Sequence, residues 1–168
     1  GFGEVVPGYE IRVLNERESL VKAMKMIPVE CVVRNVCAGS MAKRYGIAEG
    51  TKLAEPIFEF FLKSDALHDP LCNEDHVRVL GWASAEEIAQ MKALTHDVNA
   101  VLRPMFANAG IDLVDYKLEF GHAIGEPGSP LYHNAEIEPL TRDRRGAVAR
   151  CAAELKCGGL VGLEDCVR

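Results

Sequence analysis

Ile111-Asp112-Leu113-Val114-Asp115-Tyr116-Lys117-Leu118-Glu119-Phe120-Gly121 alternates in polarity with a period of two, the period at which successive side chains of a β-strand point to opposite faces. Val114, Tyr116, Leu118 and Phe120 share one face and can bury, whereas Asp115, Lys117 and Glu119 share the other, about 7 Å from one to the next. A minus-plus-minus row on one strand face admits two readings. It is a solvated sheet face whose neighbouring opposite charges are merely compatible. Or it is the wall of a site, in which carboxylates hold Mg²⁺ through oxygen and the lysine neutralises a phosphate or a substrate carboxylate.

The element before this strand is the clearest helix in the chain. Ser84-Ala85-Glu86-Glu87 has the Ser-x-x-Glu spacing of a capping box, in which hydroxyl and carboxylate each satisfy an otherwise unpaired backbone donor. Ile88, Met91, Leu94, Val98, Val101, Leu102, Met105 and Phe106 recur at helical spacing, a stripe suited to core packing. Pro104 is expected to bend or loosen the last turns, and Gly110 to end the helix. Further toward the N-terminus, Ile11–Leu14, Leu20–Met26 and Val29–Asn35 read as successive strands, separated by a polar turn over Asn15–Ser19 and by Pro28. Ser40–Tyr45 predicts a short helix stopped by Gly46, and Ile57–Lys63 another strand. A polar connection of unusual length follows, between Lys63 and Trp82. These elements predict an α+β domain, an antiparallel sheet with the Ser84 helix packed on it.

Composition bounds the function. With 48% hydrophobic and 26% charged residues the 168-residue chain is globular. A net charge of −6 speaks against broad electrostatic binding to nucleic acid. No apolar run approaches the roughly 20 residues that span a bilayer, and the first residues show no signal-peptide pattern, so a cytoplasmic protein is expected. The cysteines, at 31, 37, 72, 151, 157 and 166, include no pair two residues apart and are expected to be free thiols. The five histidines form no helical metal-binding pair.

A second candidate site is Arg34-Asn35-Val36-Cys37-Ala38-Gly39-Ser40, where a strand runs through small residues into a helix start. Backbone N–H groups, the Ser40 hydroxyl and the Arg34 fork suit an anion there. A plain Ser40 N-cap explains the same residues.

Taken together, two stretches resemble the signatures of the phosphoribosylaminoimidazole-succinocarboxamide synthase (SAICAR synthetase) family of purine biosynthesis. Ile27 to Ser40 is similar to the first and Leu113 to Gly121 to the second, with Glu49–Leu53, Pro56–Lys63 and His68–Glu74 matching in order between them. The resemblance covers about Leu14 to Gly121. It implies a kinase-like or ATP-grasp-like α+β fold and an ATP-dependent ligase. In that reaction L-aspartate is joined to carboxyaminoimidazole ribotide through an acyl phosphate, with ATP and Mg²⁺ as cofactors. By motif, Arg34, Gly39 and Ser40 would hold the ribotide phosphate or carboxylate, and Met26 and Lys63 the nucleotide. Glu119 would ligate Mg²⁺, Asp115 and Lys117 would lie beside the reacting carboxylate, and the loop from Asp69 to Glu74 would close over substrate.

Family members begin with a glycine-rich nucleotide loop that residues 1–13 do not resemble, and His122 onward does not follow the family's acidic segment. The chain is therefore expected to divide into a central domain, 1–121, lacking the N-terminal nucleotide-binding lobe, and a divergent segment, 122–168, with a helix over 143–157. The alternative is a catalytically inactive family member that at most binds a ribotide phosphate. An exposed face left by the absent lobe would favour self-association.

Overall fold

The computed structural model describes residues 8, 10–16, 18–127 and 130–140. A hairpin of β1 (Glu10–Asn15) and β2 (Glu18–Val21) comes first. It is followed by β3 (Met24–Cys37), α1 (Gly39–Tyr45), β4 (Thr51–Leu62), a 3-10 turn (Asp65–Leu67), β5 (Leu71–Cys72) and α2 (Glu74–Val79). The chain then forms α3 (Ala85–Asn108), β6 (Asp112–Ala123) and β7 (Tyr132–Leu140). Strands β5-β4-β3-β6-β7, in that order, make one antiparallel sheet, and the β1-β2 hairpin is a separate one. This is the α+β class that the sequence predicts.

Period-two alternation divides the sheet into an apolar and a charged face. Val29, Cys31 and Val33 of β3, Phe60 of β4, and Tyr116, Leu118 and Phe120 of β6 join the stripe of α3, Ile88, Met91, Val98, Leu102 and Phe106, in one buried core. Each large side chain so buried is worth about 1.5–3 kcal/mol. Polar atoms inside this layer are paired. Asn35 and Asn99 exchange two amide hydrogen bonds of 3.0 Å, and the Tyr116 hydroxyl donates to the Thr95 carbonyl. Burial pushes the Tyr116 phenol up, so it remains a donor. These bonds fix β3 and β6 against α3.

The capping box forms as predicted: Glu87 N–H donates to Ser84 Oγ at 3.1 Å, and Ser84 N–H to Glu87 Oε2 at 2.6 Å. The other Glu87 oxygen lies 2.7 Å from His122 Nε2 on β6, tying the start of the helix to the sheet. The Ser84 N–H, and then His122, hold the Glu87 carboxyl below the ordinary glutamate range. A depressed folded-state pKa means stability that is present above the ordinary range and lost as pH falls through the folded value. Glu87→Gln should therefore lower stability by about 0.3–1 kcal/mol at pH 7. The difference from the wild type should shrink as pH falls below the ordinary glutamate range, as read by urea denaturation at neutral and at acid pH. The helix continues through Pro104 to Asn108 and gives way to Gly110, whose φ of 77° is left-handed.

Several expectations require correction. Pro28 does not separate two strands: β3 runs through it, and the β3–β6 register shifts between Met26 and Glu30. A bulge tolerates proline because no ladder N–H is needed there. The Pro28 carbonyl is taken by the Lys63 N–H at 3.0 Å. The connection after Lys63 is mostly structured, with the 3-10 turn, β5 on the edge of β4, and α2. The α2 cap is made by Asn73 and His76, whose side chains bond each other's backbone N–H. β4 begins at Thr51, before the Ile57 expected. Strand pairing also crosses the division placed at residue 121, since β6 extends to Ala123 and β7 runs alongside it. The helix expected over 143–157 lies outside the described residues. Among those residues Cys31, Cys37 and Cys72 are free thiols. No helix among them is long and apolar enough to cross a membrane.

Candidate functional site

The charged face of β6 lies against the matching face of β3, and β4 flanks β3 on its other side. Register sets Arg34 opposite Asp115 and Ile57, Val32 opposite Lys117 and Glu59, and Glu30 opposite Glu119 and Phe61. Two clusters follow. In the first, Arg34 donates from Nε to Glu59 Oε2 at 2.7 Å, from Nη1 to Asp115 Oδ2 at 2.6 Å and from Nη2 to Ser40 Oγ at 3.2 Å. Its side chain is only 8% exposed and that of Glu59 6%, a burial that charges tolerate only when paired. Arg44, on α1, bonds the second oxygen of Glu59.

In the second cluster Lys117 Nζ lies 2.9 Å from Glu30 Oε1, and Lys63 Nζ lies 2.5 Å from Glu119 Oε1 and 3.4 Å from Glu30 Oε1. The facing carboxylates of Glu30 and Glu119 are thus kept together by cations. The hydrogen bond to Glu119 raises the Lys63 pKa above its ordinary value against partial burial. Lys63 is therefore charged at neutral pH.

A cavity of about 380 Å³ opens over both clusters, with Glu30, Arg34, Ser40, His68, Asp115 and Lys117 in its wall. Two consecutive residues of that wall, His68 (φ 56°) and Asp69 (φ 45°), are left-handed without being glycine. Such backbone persists when its surroundings hold it; here Asp69 Oδ1 accepts the Ser64 N–H at 2.7 Å.

Of the residues singled out in the sequence, Arg34, Ser40, Asp115 and Lys117 meet in the cavity wall, and Lys63 and Glu119 join through Glu30. Met26 lies beyond the Pro28 bulge, opposite Gly121. A Cβ on Gly121 would fall 2.8 Å from Met26 Sδ and 2.9 Å from the Lys25 carbonyl oxygen, so glycine is required there. Gly39 donates its N–H to Glu49 Oε1 at 3.2 Å. Ser40 is not a helix cap: Ala38 occupies the cap position, and the serine hydroxyl meets Arg34. The residues that motif reading missed are Glu30, Glu59, Arg44 and His68. The signal for the first two was a lone carboxylate inside an apolar strand, Val29-Glu30-Cys31 and Phe58-Glu59-Phe60.

Among the described residues no group of three or more His, Cys, Asp or Glu is placed to hold a metal. The pair of Glu119 and Glu30 still suits Mg²⁺, a cation commonly held by one or two carboxylates with water and substrate phosphates completing its shell.

A buried arginine, a lysine and the carboxylates of Glu30, Asp69 and Asp115 in one cavity wall, with Glu59, Lys63 and Glu119 bonded to them or to their partners, make this a sheet protein with a densely charged open pocket. The family model for SAICAR synthetase matches residues 3–127. The phosphoribosylaminoimidazole-succinocarboxamide synthase of Idiomarina loihiensis is 62% identical over 140 residues, which cover 78% of this chain and 59% of that protein. The crystal structure of the same enzyme from Ehrlichia chaffeensis superposes with a TM-score of 0.77 at 34% identity, covering 91% of this chain and 67% of that one. A SAICAR synthetase in complex with ADP gives a TM-score of 0.75 at 32% identity, covering 95% of this chain and 71% of that one. The chain belongs to the SAICAR synthetase family, carbon–nitrogen ligases of purine biosynthesis. The likeness extends past Leu14 and Gly121 at both ends, into residues that no motif had tied to the family. The chain spans about three-fifths of the Idiomarina relative.

Proposed function

We propose that this chain takes part in the ATP-dependent joining of L-aspartate to carboxyaminoimidazole ribotide, giving the succinocarboxamide, ADP and phosphate. The observation that carries the reading is a pair of charged clusters that share one cavity wall, Ser40, Arg34 and Asp115 in one and Lys117 and Glu30 in the other, with Lys63 joining Glu30 to Glu119. Such an array can hold a phosphate or carboxylate at one end and a nucleotide at the other. The ADP complex of a structural relative supports the nucleotide end.

In this reading Arg34 and Ser40 anchor the ribotide by its phosphate or carboxylate, with Gly39 where the backbone approaches it. Met26 borders the adenine, and Lys63 faces the nucleotide phosphates. Glu119, with Glu30 facing it, would hold Mg²⁺, which when bound neutralises charge on the transferring phosphoryl group. Lys117 lies beside the ribotide carboxylate and stabilises the oxyanion that develops on its carbonyl oxygen when the acyl phosphate is attacked. The aspartate amine then attacks the acyl phosphate, phosphate leaves, and Asp115, fixed by Arg34, takes the proton that the amine releases.

The test is succinocarboxamide formation by purified protein with ribotide, L-aspartate and Mg-ATP. One ADP per product, and no continued turnover without aspartate, is expected. Folded protein that forms no product, beside an active relative in the same assay, would overturn the reading.

A further inference from the structure

Arg34 is held from behind by Glu59 and Arg44, which do not line the cavity. Its Nε edge meets Glu59 Oε2 at 2.7 Å, and the other Glu59 oxygen is bonded by Arg44. Arg44 stands one turn after Ser40 on α1 and is absent from the cavity wall. Two residues along β4 from Glu59, on the same strand face, the Phe61 ring lies 5.8 Å from the Arg34 Cζ and 5.6 Å from the Arg44 Cζ. Both guanidinium groups thus share one carboxylate and one aromatic ring, a cation–π arrangement for each. With its Nε edge occupied, Arg34 has its two Nη groups directed at Ser40 and Asp115, which line the cavity.

We propose that Glu59 and Arg44 form a brace that positions Arg34 to receive the anionic group of the ribotide, neither of them touching the ligand. This rests on the reading of Arg34 as a ribotide contact. The brace acts by preorganisation. A long side chain that must be ordered on binding weakens affinity, and a guanidinium fixed at one edge presents its fork in a single orientation. Glu59 alone, buried between two arginines, offers one oxygen to each. A glutamine in its place would keep one accepting oxygen and set an NH₂ against the other guanidinium.

The experiment compares equilibrium binding of carboxyaminoimidazole ribotide and of Mg-ATP by wild type, Glu59→Gln, Arg44→Gln and Arg34→Lys. Glu59→Gln should weaken ribotide binding on the order of tenfold, and Arg44→Gln should weaken it in the same direction. Mg-ATP binding should stay within about twofold of the wild type. In turnover the ribotide KM should rise while kcat at saturating ribotide is kept. A residue that served folding alone would move both ligands together with the melting temperature, and that outcome overturns the proposal. So does wild-type ribotide binding by Glu59→Gln and Arg44→Gln when Arg34→Lys binds weakly. If Arg34→Lys also binds the ribotide like the wild type, the reading of Arg34 fails and the brace with it. Should Glu59→Gln not fold, Arg44→Gln decides, because its side chain is more exposed than that of Glu59.

Discussion

Arg34→Ala is expected to destabilise the protein by about 3–5 kcal/mol, the cost of removing one partner from a buried ion pair. The magnitude follows from what is left behind. Glu59 is 6% exposed and Asp115 17%, and both lose a charged hydrogen bond shorter than 2.8 Å. Arg44 can still neutralise Glu59, which places the loss toward the lower end. For a chain of this size the melting temperature should fall by about 6–20 °C. A second variant separates lost packing from stranded charge. Arg34→Met combined with Glu59→Leu removes the carboxylate together with the guanidinium, and an apolar replacement of a buried pair is often close to neutral. The double variant should recover much of the stability without recovering ribotide binding. Urea denaturation reads the outcome. A loss under about 1 kcal/mol for Arg34→Ala, the level of a solvated surface pair, would show that the array is not held as a buried network.

The fold was legible where residue types and spacing coincide. The period-two run at β6 placed Tyr116, Leu118 and Phe120 in the core and Asp115, Lys117 and Glu119 on the opposite face, because strand geometry leaves no third direction. Ser84 and Glu87 announced the start of α3 because a capping box is a local device, complete within four residues. What the sequence could not show was which strand lies beside which. Glu30 and Glu119 are far apart in the chain and directly opposite in the sheet, so nothing local showed that Lys117 and Lys63 would meet Glu30. Pro28 misled for a related reason. A proline in an isolated strand pattern reads as a break, whereas β3 has a register shift between Met26 and Glu30 that removes the need for its N–H. Ser40 misled because an N-cap is decided within one turn, and the partner that draws its hydroxyl elsewhere is six residues back and buried. The short elements after Lys63 escaped because two-residue and six-residue segments carry too little periodicity to read.

Lys117→Met should reduce kcat by about 10²–10³, the scale found when one preorganised donor to a developing oxyanion is removed, while costing little stability. The two effects separate because of how Glu30 is shared. Its carboxylate is bonded by Lys117 at 2.9 Å and approached by Lys63 at 3.4 Å, so loss of Lys117 leaves Glu30 with a second cation. A Met side chain also keeps most of the aliphatic stem that packs on the sheet. The fall should appear in kcat and not in the KM for ATP, since the nucleotide contacts proposed here are made by Lys63 and Met26. Lys117→Arg sharpens the argument. It restores the charge but replaces a compact ammonium by a planar fork, and on a strand face where Asp115 and Glu119 flank the position that fork must turn toward one of them. Partial recovery by Arg, against none by Met, would assign the role to charge at the carboxylate. Equal rates for all three proteins would remove Lys117 from the chemistry and leave it a neutralising partner of Glu30.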